Sequence, residues 1–345
     1  MDTTIALFLA QDGVINGAIY ALLGLSLVLV FTVTRVIFVP QGEFVAYGAL
    51  TLAALERGET PGTAWLALAL GAVACLQTLA LVPAARKGWA LVRLLAFDLG
   101  LPAAVAALAE LTAPLHLGQA ARVGLTLAII APLGPFLYRI VFRPLARASV
   151  LVLLIASVGV HLGLVGLGLV FFGAEGSRST PLSAANLTLG PLTVTGQSLW
   201  ILGVTGLLMG ALGLFFGRTL TGKALRATAV NRLGARLVGI PAERAGWLAF
   251  GMAATIGAVS GILSAPVTTT FYDTGFITGL KGFVAAIIAD LVSYPGVAVA
   301  AIAVGLVESF ASFWASSFKE VIVFTTIIPV LLWRSVRSPH AEDEE

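Results

Sequence analysis

Few side chains in this chain could do chemistry, and most of those lie inside long apolar stretches. His116, His161 and His340 are far apart, and with Cys75 as the one cysteine they offer no metal-ligand spacing. His161 lies within the apolar run 149–172. An ionisable group in such a place is a candidate proton relay. A hydrogen-bonded structural histidine, or one lining a polar cavity, fits the same surroundings. Asp290 and Glu308 stand alike: either could gate a cavity, and either could sit near an interface. Glu43 follows a bend, Pro40-Gln41-Gly42-Glu43-Phe44. That bend starts a helix whose N-terminal dipole favours a carboxylate, which leaves a helix-end acid and a direct role in transport as the two readings.

One motif is a decoy. The stretch from Gly217 through Gly222, Lys223 and Ala224 matches a phosphate-binding loop up to its last position, where Ala224 replaces the Ser or Thr that holds magnesium. It also follows an apolar helix and not a buried strand. ATP binding by this chain is rejected on those grounds, so any ATP must be hydrolysed by another subunit.

The elements that position these residues are set by composition. Of 345 residues, 59% are apolar and 11% charged, and the mean hydropathy is +1.01. Soluble proteins carry about 25% charged residues, so there is too little polar surface here to coat a soluble core of this size. The chain is a polytopic membrane protein. Apolar runs fall near 13–34, 38–55, 63–83, 90–112, 119–142, 149–172, 197–217, 244–266, 280–310 and 319–333. They are continuous, unlike the alternating strands of a membrane barrel. At roughly 20 residues per crossing they predict an all-α transmembrane bundle of about eight to ten spans, with residues 1–345 as one domain. The run 280–310 is too long for one crossing and contains Tyr294-Pro295-Gly296, so a discontinuous helix is predicted near Pro295. The first run lacks a charged leader and reads as a retained span. Cys75 lies in an apolar run, which excludes a disulfide framework within the chain.

Charge orients the bundle. A net charge of +3 does not point to nucleic acid; in a membrane protein it reflects retained cytoplasmic Lys and Arg. Arg218, Lys223, Arg226, Arg232, Arg236 and Arg244 stand in 218–244 against one acid, Glu243. Arg139, Arg143 and Arg147 form a second basic turn, and Arg86, Lys87 and Arg93 a third. Alternation places those three inside, 113–118 and 173–196 outside, and the N-terminus outside. Arg334 and Arg337 argue for a cytoplasmic C-terminus, whereas the acidic tail 338–345 says little. Three full crossings after residue 244 would end outside; two crossings with a re-entrant pair around Pro295 would end inside.

Small residues recur at helix-packing spacing in Gly13/Gly17, Gly159/Gly163, Gly206/Gly210 and Gly257/Gly261. They predict close packing within the bundle, with a dimer seam as the other reading. The stretch from Thr221 to Ile240 interleaves basic and small residues and ends on Gly239-Ile240. It predicts a short amphipathic helix that docks on a soluble partner, the alternative being a helix lying on anionic lipid.

Four stretches together resemble the permease subunits of branched-chain amino-acid (Liv-type) ABC importers. They are Asn16-Gly17-Ala18-Ile19-Tyr20 with Arg35 and Gly42-Glu43-Phe44; Arg143-Pro144-Leu145 with Ile155-Ala156-Ser157; Gly222-Lys223-Ala224-Leu225-Arg226-Ala227 through Asn231, Ala235 and Gly239; and Gly279-Leu280-Lys281-Gly282 with Ser293-Tyr294-Pro295-Gly296 and Glu308-Ser309. The resemblance spans most of the chain. It implies a non-enzymatic, cofactor-free multi-pass protein of the bacterial inner membrane that translocates branched-chain amino acids by alternating access. The implied partners are ATP-binding subunits, a second permease subunit in a heterodimer, and a periplasmic binding protein. Arg226, Asn231, Ala235 and Gly239, within the coupling loop 218–244, would then seat on an ATPase subunit, while Gly42, Glu43, Asp290 and Pro295 would lie near the path. The chain departs from the family in three places. Arg232-Leu233-Gly234 replace the usual Pro-Glu-Ala after Asn231, Ala289-Asp290 stand where paired glycines are usual, and 84–118 is an insertion that must add an even number of crossings. A ribose-type sugar or urea/amide permease is the nearer alternative, and an ion-coupled secondary transporter the more distant one.

Overall fold

The computed structural model describes residues 3–81, 95–115, 117–189 and 192–337. The turn with Arg86, Lys87 and Arg93, together with His116, His340 and the tail 338–345, lies outside them. Helix α1 is Thr3–Thr34, α2 Gln41–Glu56 and α3 Gly62–Leu81. A π-helical turn, Ala96–Gly100, leads into α4, Leu101–Thr112. Helix α5 (Gln119–Ile130) breaks at Ala131-Pro132 and resumes as α6 (Leu133–Leu137), closing in a second π turn, Tyr138–Phe142. After α7 (Val150–Phe172), a hairpin of β1 (Asn186–Leu189) and β2 (Leu192–Thr195) pairs antiparallel, Asn186 opposite Thr195. Then follow α8 (Gly196–Arg218), α9 (Leu220–Val230), α10 (Arg232–Leu237), α11 (Ala242–Ser264), α12 (Thr274–Ile288), α13 (Tyr294–Trp314), α14 (Lys319–Thr325) and α15 (Ile327–Arg337).

Among the described residues, nine helical segments are long and apolar enough to cross a membrane. This is the all-α polytopic bundle that the apolar runs predict. Two elements fall short: α2 has 16 residues and α12 has 15. At 1.5 Å per residue these are roughly 24 and 22 Å long, less than the ~30 Å hydrocarbon core. The run 280–310 is two helices, α12 and α13, with Pro295 in the first turn of α13, where a missing N–H costs nothing.

The molecule has two distinct ends. At one, Glu56 accepts hydrogen bonds from the backbone N and hydroxyl of Thr180, both 2.9 Å, and Ser177 pairs with Thr270. Gln119 and Gln11 donate to backbone carbonyls of the same 173–195 segment. This polar end therefore collects the start of α1, the end of α2 and the long loop assigned outside. At the other end Arg143 pairs with Glu243 at 2.9 Å, joining the turn 139–147 to the segment 218–244. Both basic stretches thus share one end, as charge alternation predicts. Within 84–118, Ala96–Leu115 is one membrane-length segment, and Gln119–Phe142 returns from the polar end to the basic one. The C-terminal alternatives resolve geometrically. Lys281 of α12 reaches Glu320, and Val323, Phe324 and Ile327 further along join the cluster that Val284, Ala285 and Ile288 of α12 share with Ala301 and Val304 of α13. The last segment therefore descends parallel to α12, and Arg334 and Arg337 return to the basic end.

Helix α1 is the axis, packed on α11, α12 and α13. A Cβ on Gly17 would stand 2.7 Å from the Ile302 Cα, so only glycine allows this crossing. Gly13/Gly17 and Gly257/Gly261 are packed inside the bundle as predicted. Gly159/Gly163 and Gly206/Gly210 have nothing within 4 Å, and they lie on the outer surfaces of α7 and α8. The non-helical link between α1 and α2 is pinned by Phe38, whose ring lies 4.8 Å from Phe250 and 5.7 Å from both Phe44 and Phe142.

Candidate functional site

The start of α2, the middle of α7 and the first half of α12 meet around Glu43. Close approach comes first: a Cβ on Gly42 would overlap the Gly275 carbonyl, and Gly279 packs on the same spot. Gln41 anchors this turn by donating from Nε2 to the Ala253 carbonyl at 2.9 Å. Helix α7 joins by a narrow stripe at helical spacing, Leu153, Ser157, His161, Leu164 and Gly168, its remaining face standing clear of the bundle. Ser157 Oγ accepts from the Val39 N–H at 2.9 Å, and the Tyr47 hydroxyl donates to the Leu164 carbonyl at 2.6 Å.

Glu43 is 0% exposed. Its Oε1 lies 3.1 Å from His161 Nδ1, and the imidazole rests on Phe276 with ring centroids 4.6 Å apart. His161 is the partner of this carboxylate, in an ion pair poorly aligned for a hydrogen bond, and among the described residues no other group donates to either oxygen. A buried carboxylate left this way costs several kcal/mol, so the arrangement is held by the rest of the fold. On the basic-end side of the pair lies a cavity of about 180 Å³ lined by Leu27, Phe38, Gln41, Leu154, Leu280 and Phe283 among others. Its walls are almost wholly apolar.

A second ionisable cluster was not legible as a unit. Lys281 Nζ donates to Glu308 Oε1 at 2.5 Å and to Glu320 Oε1 at 3.1 Å, and the Tyr20 hydroxyl donates to Glu308 Oε2 at 2.5 Å. Both Glu308 oxygens are thus engaged, in a knot tying α1, α12, α13 and α14. A signal existed: a lysine and a glutamate, both in apolar runs, had to pair. A third pair ties the turn Ala96–Gly100 to the neighbouring helices. Arg139 donates from Nη1 and Nη2 to both carboxylate oxygens of Asp98, at 2.8 and 2.6 Å, and also to Thr78 and the Ala74 carbonyl.

The residues expected near a path divide between two places. Gly42 and Glu43 are at the buried cluster. Asp290 and Pro295 are exposed at the far end of α12, on the basic end. Their turn carries two successive left-handed residues, Asp290 at φ 61° and Leu291 at φ 54°. Glycine adopts that conformation freely, and Asp is among the residues that tolerate it best. Of the two positions where paired glycines are usual in the resembled family, only Asp290 is left-handed; Ala289 is at φ −98°. Neighbouring Val292 and Tyr294 share a cavity of about 390 Å³ with Arg35, Phe216 and Arg226.

The segment 218–244 is two helices and not one. Thr219 Oγ1 accepts from the Gly222 N–H at 2.9 Å, so residues of the phosphate-loop decoy serve as a helix cap. Asn231 Oδ1 accepts from the Gly234 N–H at 2.8 Å and starts α10, and Gly239 at φ 85° turns the chain toward α11. Leu225, Thr228 and Ala235 face the bundle; Ala235 is 4% exposed. Arg226, Asn231 and Gly239 remain exposed. So do Leu220, Val230, Leu233, Leu237 and Val238, exposed apolar side chains that the sequence pattern did not single out.

Broken short helices meeting buried ionisable groups near mid-bundle, in a multi-pass helical protein, define a transport protein of the membrane. More closely, the profile of the family described as branched-chain amino acid transport system / permease component matches residues 9–331, and the chain belongs to that family. Among curated relatives, it is 27% identical over 216 residues to the high-affinity branched-chain amino acid transport system permease protein BraD of Pseudomonas aeruginosa, covering 61% of this chain and 70% of that one. It is 30% identical to the LivH permease proteins of Salmonella typhimurium (59% of this chain, 68% of the relative) and of Escherichia coli K12 (60% and 69%). No solved structure matches. The protein is a multi-pass membrane permease subunit of amino-acid transport.

Proposed function

We propose that this chain is the permease subunit of an ATP-binding-cassette importer of the bacterial inner membrane, translocating branched-chain amino acids by alternating access. The observation that carries the reading is the α9–α10 surface. Two capped helices are seated on the bundle through Leu225, Thr228 and Ala235, and they leave apolar Leu220, Val230, Leu233, Leu237 and Val238 and basic Arg226 and Arg236 exposed. Such a surface fits a groove on a soluble ATPase subunit, whose nucleotide cycle would supply the free energy. Its motion reaches the bundle by two routes: α9 packs on α1 and α8, and its Arg226 borders the cavity next to the α12–α13 turn. A second permease subunit would complete the path. A periplasmic binding protein would dock on the polar end, where Glu56, Arg57, Glu59, Glu175 and Arg178 surround a depression of about 710 Å³.

The test is uptake of labelled leucine into sealed vesicles holding this chain and its co-purifying partners, with ATP on the cytoplasmic side alone and ion gradients collapsed. Uptake that needs both ATP and added binding protein supports the reading. Uptake driven by a proton or sodium gradient without ATP overturns it. Gly239→Glu, placed on the exposed turn after α10, should leave insertion intact and separate ATP hydrolysis from uptake; normal uptake in that variant removes the docking claim.

A further inference from the structure

We infer that Glu43 receives the ammonium group of the transported amino acid, and that the apolar cavity beside it takes the aliphatic side chain. The inference rests on the transport reading above and assigns the residues of its site.

Three observations converge. The first is the unsatisfied carboxylate. A buried carboxylate ordinarily collects hydrogen bonds, as Glu308 does on both oxygens. Glu43, fully buried, has among the described residues only His161, at 3.1 Å and poorly aligned. A primary ammonium carries three donors and a full positive charge, which is what the site lacks. His161 holds the carboxylate while the site is empty, and the ammonium takes over when it is filled.

The second is the cavity. Leu154 lies two turns from His161 on α7, Leu280 one turn from Phe276 on α12, and Gln41 two residues before Glu43, so the cavity lies one to two turns from the pair toward the basic end, without Glu43, His161 or Phe276 in its wall. At about 180 Å³ it is smaller than the ~300–1,000 Å³ of sites for drug-sized ligands. Its lining of Leu27, Phe38, Leu154, Leu280 and Phe283 offers dispersion contacts and almost no polar atoms. A sugar, with a hydroxyl on each carbon, would leave those hydroxyls unpaired there. A branched aliphatic side chain would not.

The third is the wall. Helix α7 carries both Leu154 and His161 and is held by one narrow stripe, so it is the side of the site least constrained by packing. Movement of α7 would open Glu43 without breaking the tightly crossed α2–α12 pair.

The test compares unaltered protein, Glu43→Gln and Leu280→Phe in vesicles, with the same binding protein, so that any change in substrate preference belongs to the permease. Glu43→Gln should raise the KM for leucine uptake by about 30-fold or more, the lower end for removing one partner of a buried charged contact. Leu280→Phe, which shortens the cavity, should lower the leucine-to-valine uptake ratio about tenfold, the scale of one methylene in a tight pocket. Unchanged leucine KM in Glu43→Gln overturns the ammonium assignment. Equal loss of leucine and valine in Leu280→Phe overturns the cavity assignment, and this ratio decides the matter if Glu43→Gln does not fold. Absence of ATP-dependent leucine uptake by the unaltered protein overturns the transport reading itself.

Discussion

Two buried acids on this bundle have opposite fates. Glu308 is saturated: Tyr20 donates to one oxygen and Lys281 to the other, and Lys281 also reaches Glu320. Glu43 is as deeply buried and has, among the described residues, only the poorly aligned pair with His161. Both clusters include α12, the short helix whose Lys281 serves one and whose Phe276 borders the other. A charge with every partner in place is a fastener, because its removal strands the rest. A charge left open within a rigid frame has capacity for something that comes and goes. The same contrast runs through the small-residue pairs: Gly13/Gly17 are filled by α13, whereas Gly159/Gly163 face outward from α7.

The largest expected effect tests the fastener. Lys281→Met leaves Glu308 and Glu320 without their cation and should destabilise the bundle by about 3–5 kcal/mol, seen as a lowered unfolding temperature in detergent. Adding Glu308→Gln should recover part of that loss, since the stranded charge is gone; a double variant no better than Lys281→Met would break the fastener reading. Next, Gly17→Leu forces a side chain against the Ile302 backbone and should yield little monodisperse protein, whereas Gly163→Leu should change stability by about 0.5 kcal/mol or less. Equal behaviour of the two would erase the inner–outer distinction. Asp98→Asn removes the charge from the bidentate contact with Arg139 and should cost about 1–3 kcal/mol, read by the same unfolding assay and by faster proteolysis within 95–115. The smallest effect sharpens the comparison most. Glu43→Gln should leave the unfolding temperature unchanged or slightly raised, because a buried charge with one poorly aligned partner is replaced by a neutral group of the same shape. A drop as large as that of Lys281→Met would make Glu43 a fastener too.

Much of the bundle could be read in the sequence for local reasons. A crossing is a run of apolar residues of fixed length, a break is a proline with its neighbours, and a basic end is a count of Arg and Lys; none requires knowledge of what lies across the bundle. On that basis the all-α class, the span count, the break near Pro295, the shared end of 139–147 and 218–244, and the family were all accessible. Glu43 stood out as a carboxylate after a bend, and Gly239 as the stop of a short amphipathic helix.

The tertiary structure alone decided which of these residues meet. Glu43 and His161 are 118 positions apart and Tyr20 and Glu308 are 288, and no periodicity links them. Nor could the sequence separate the two halves of the expected path, Gly42 and Glu43 at mid-bundle from Asp290 and Pro295 at the basic end. It could not tell the filled glycine pairs from the open ones, because lipid is as apolar as a protein interior and both faces of a membrane helix carry the same residues. Packing supplied that information. It placed α12 between a saturated charge cluster and an open one, and so turned two similar glutamates into residues with different physical roles.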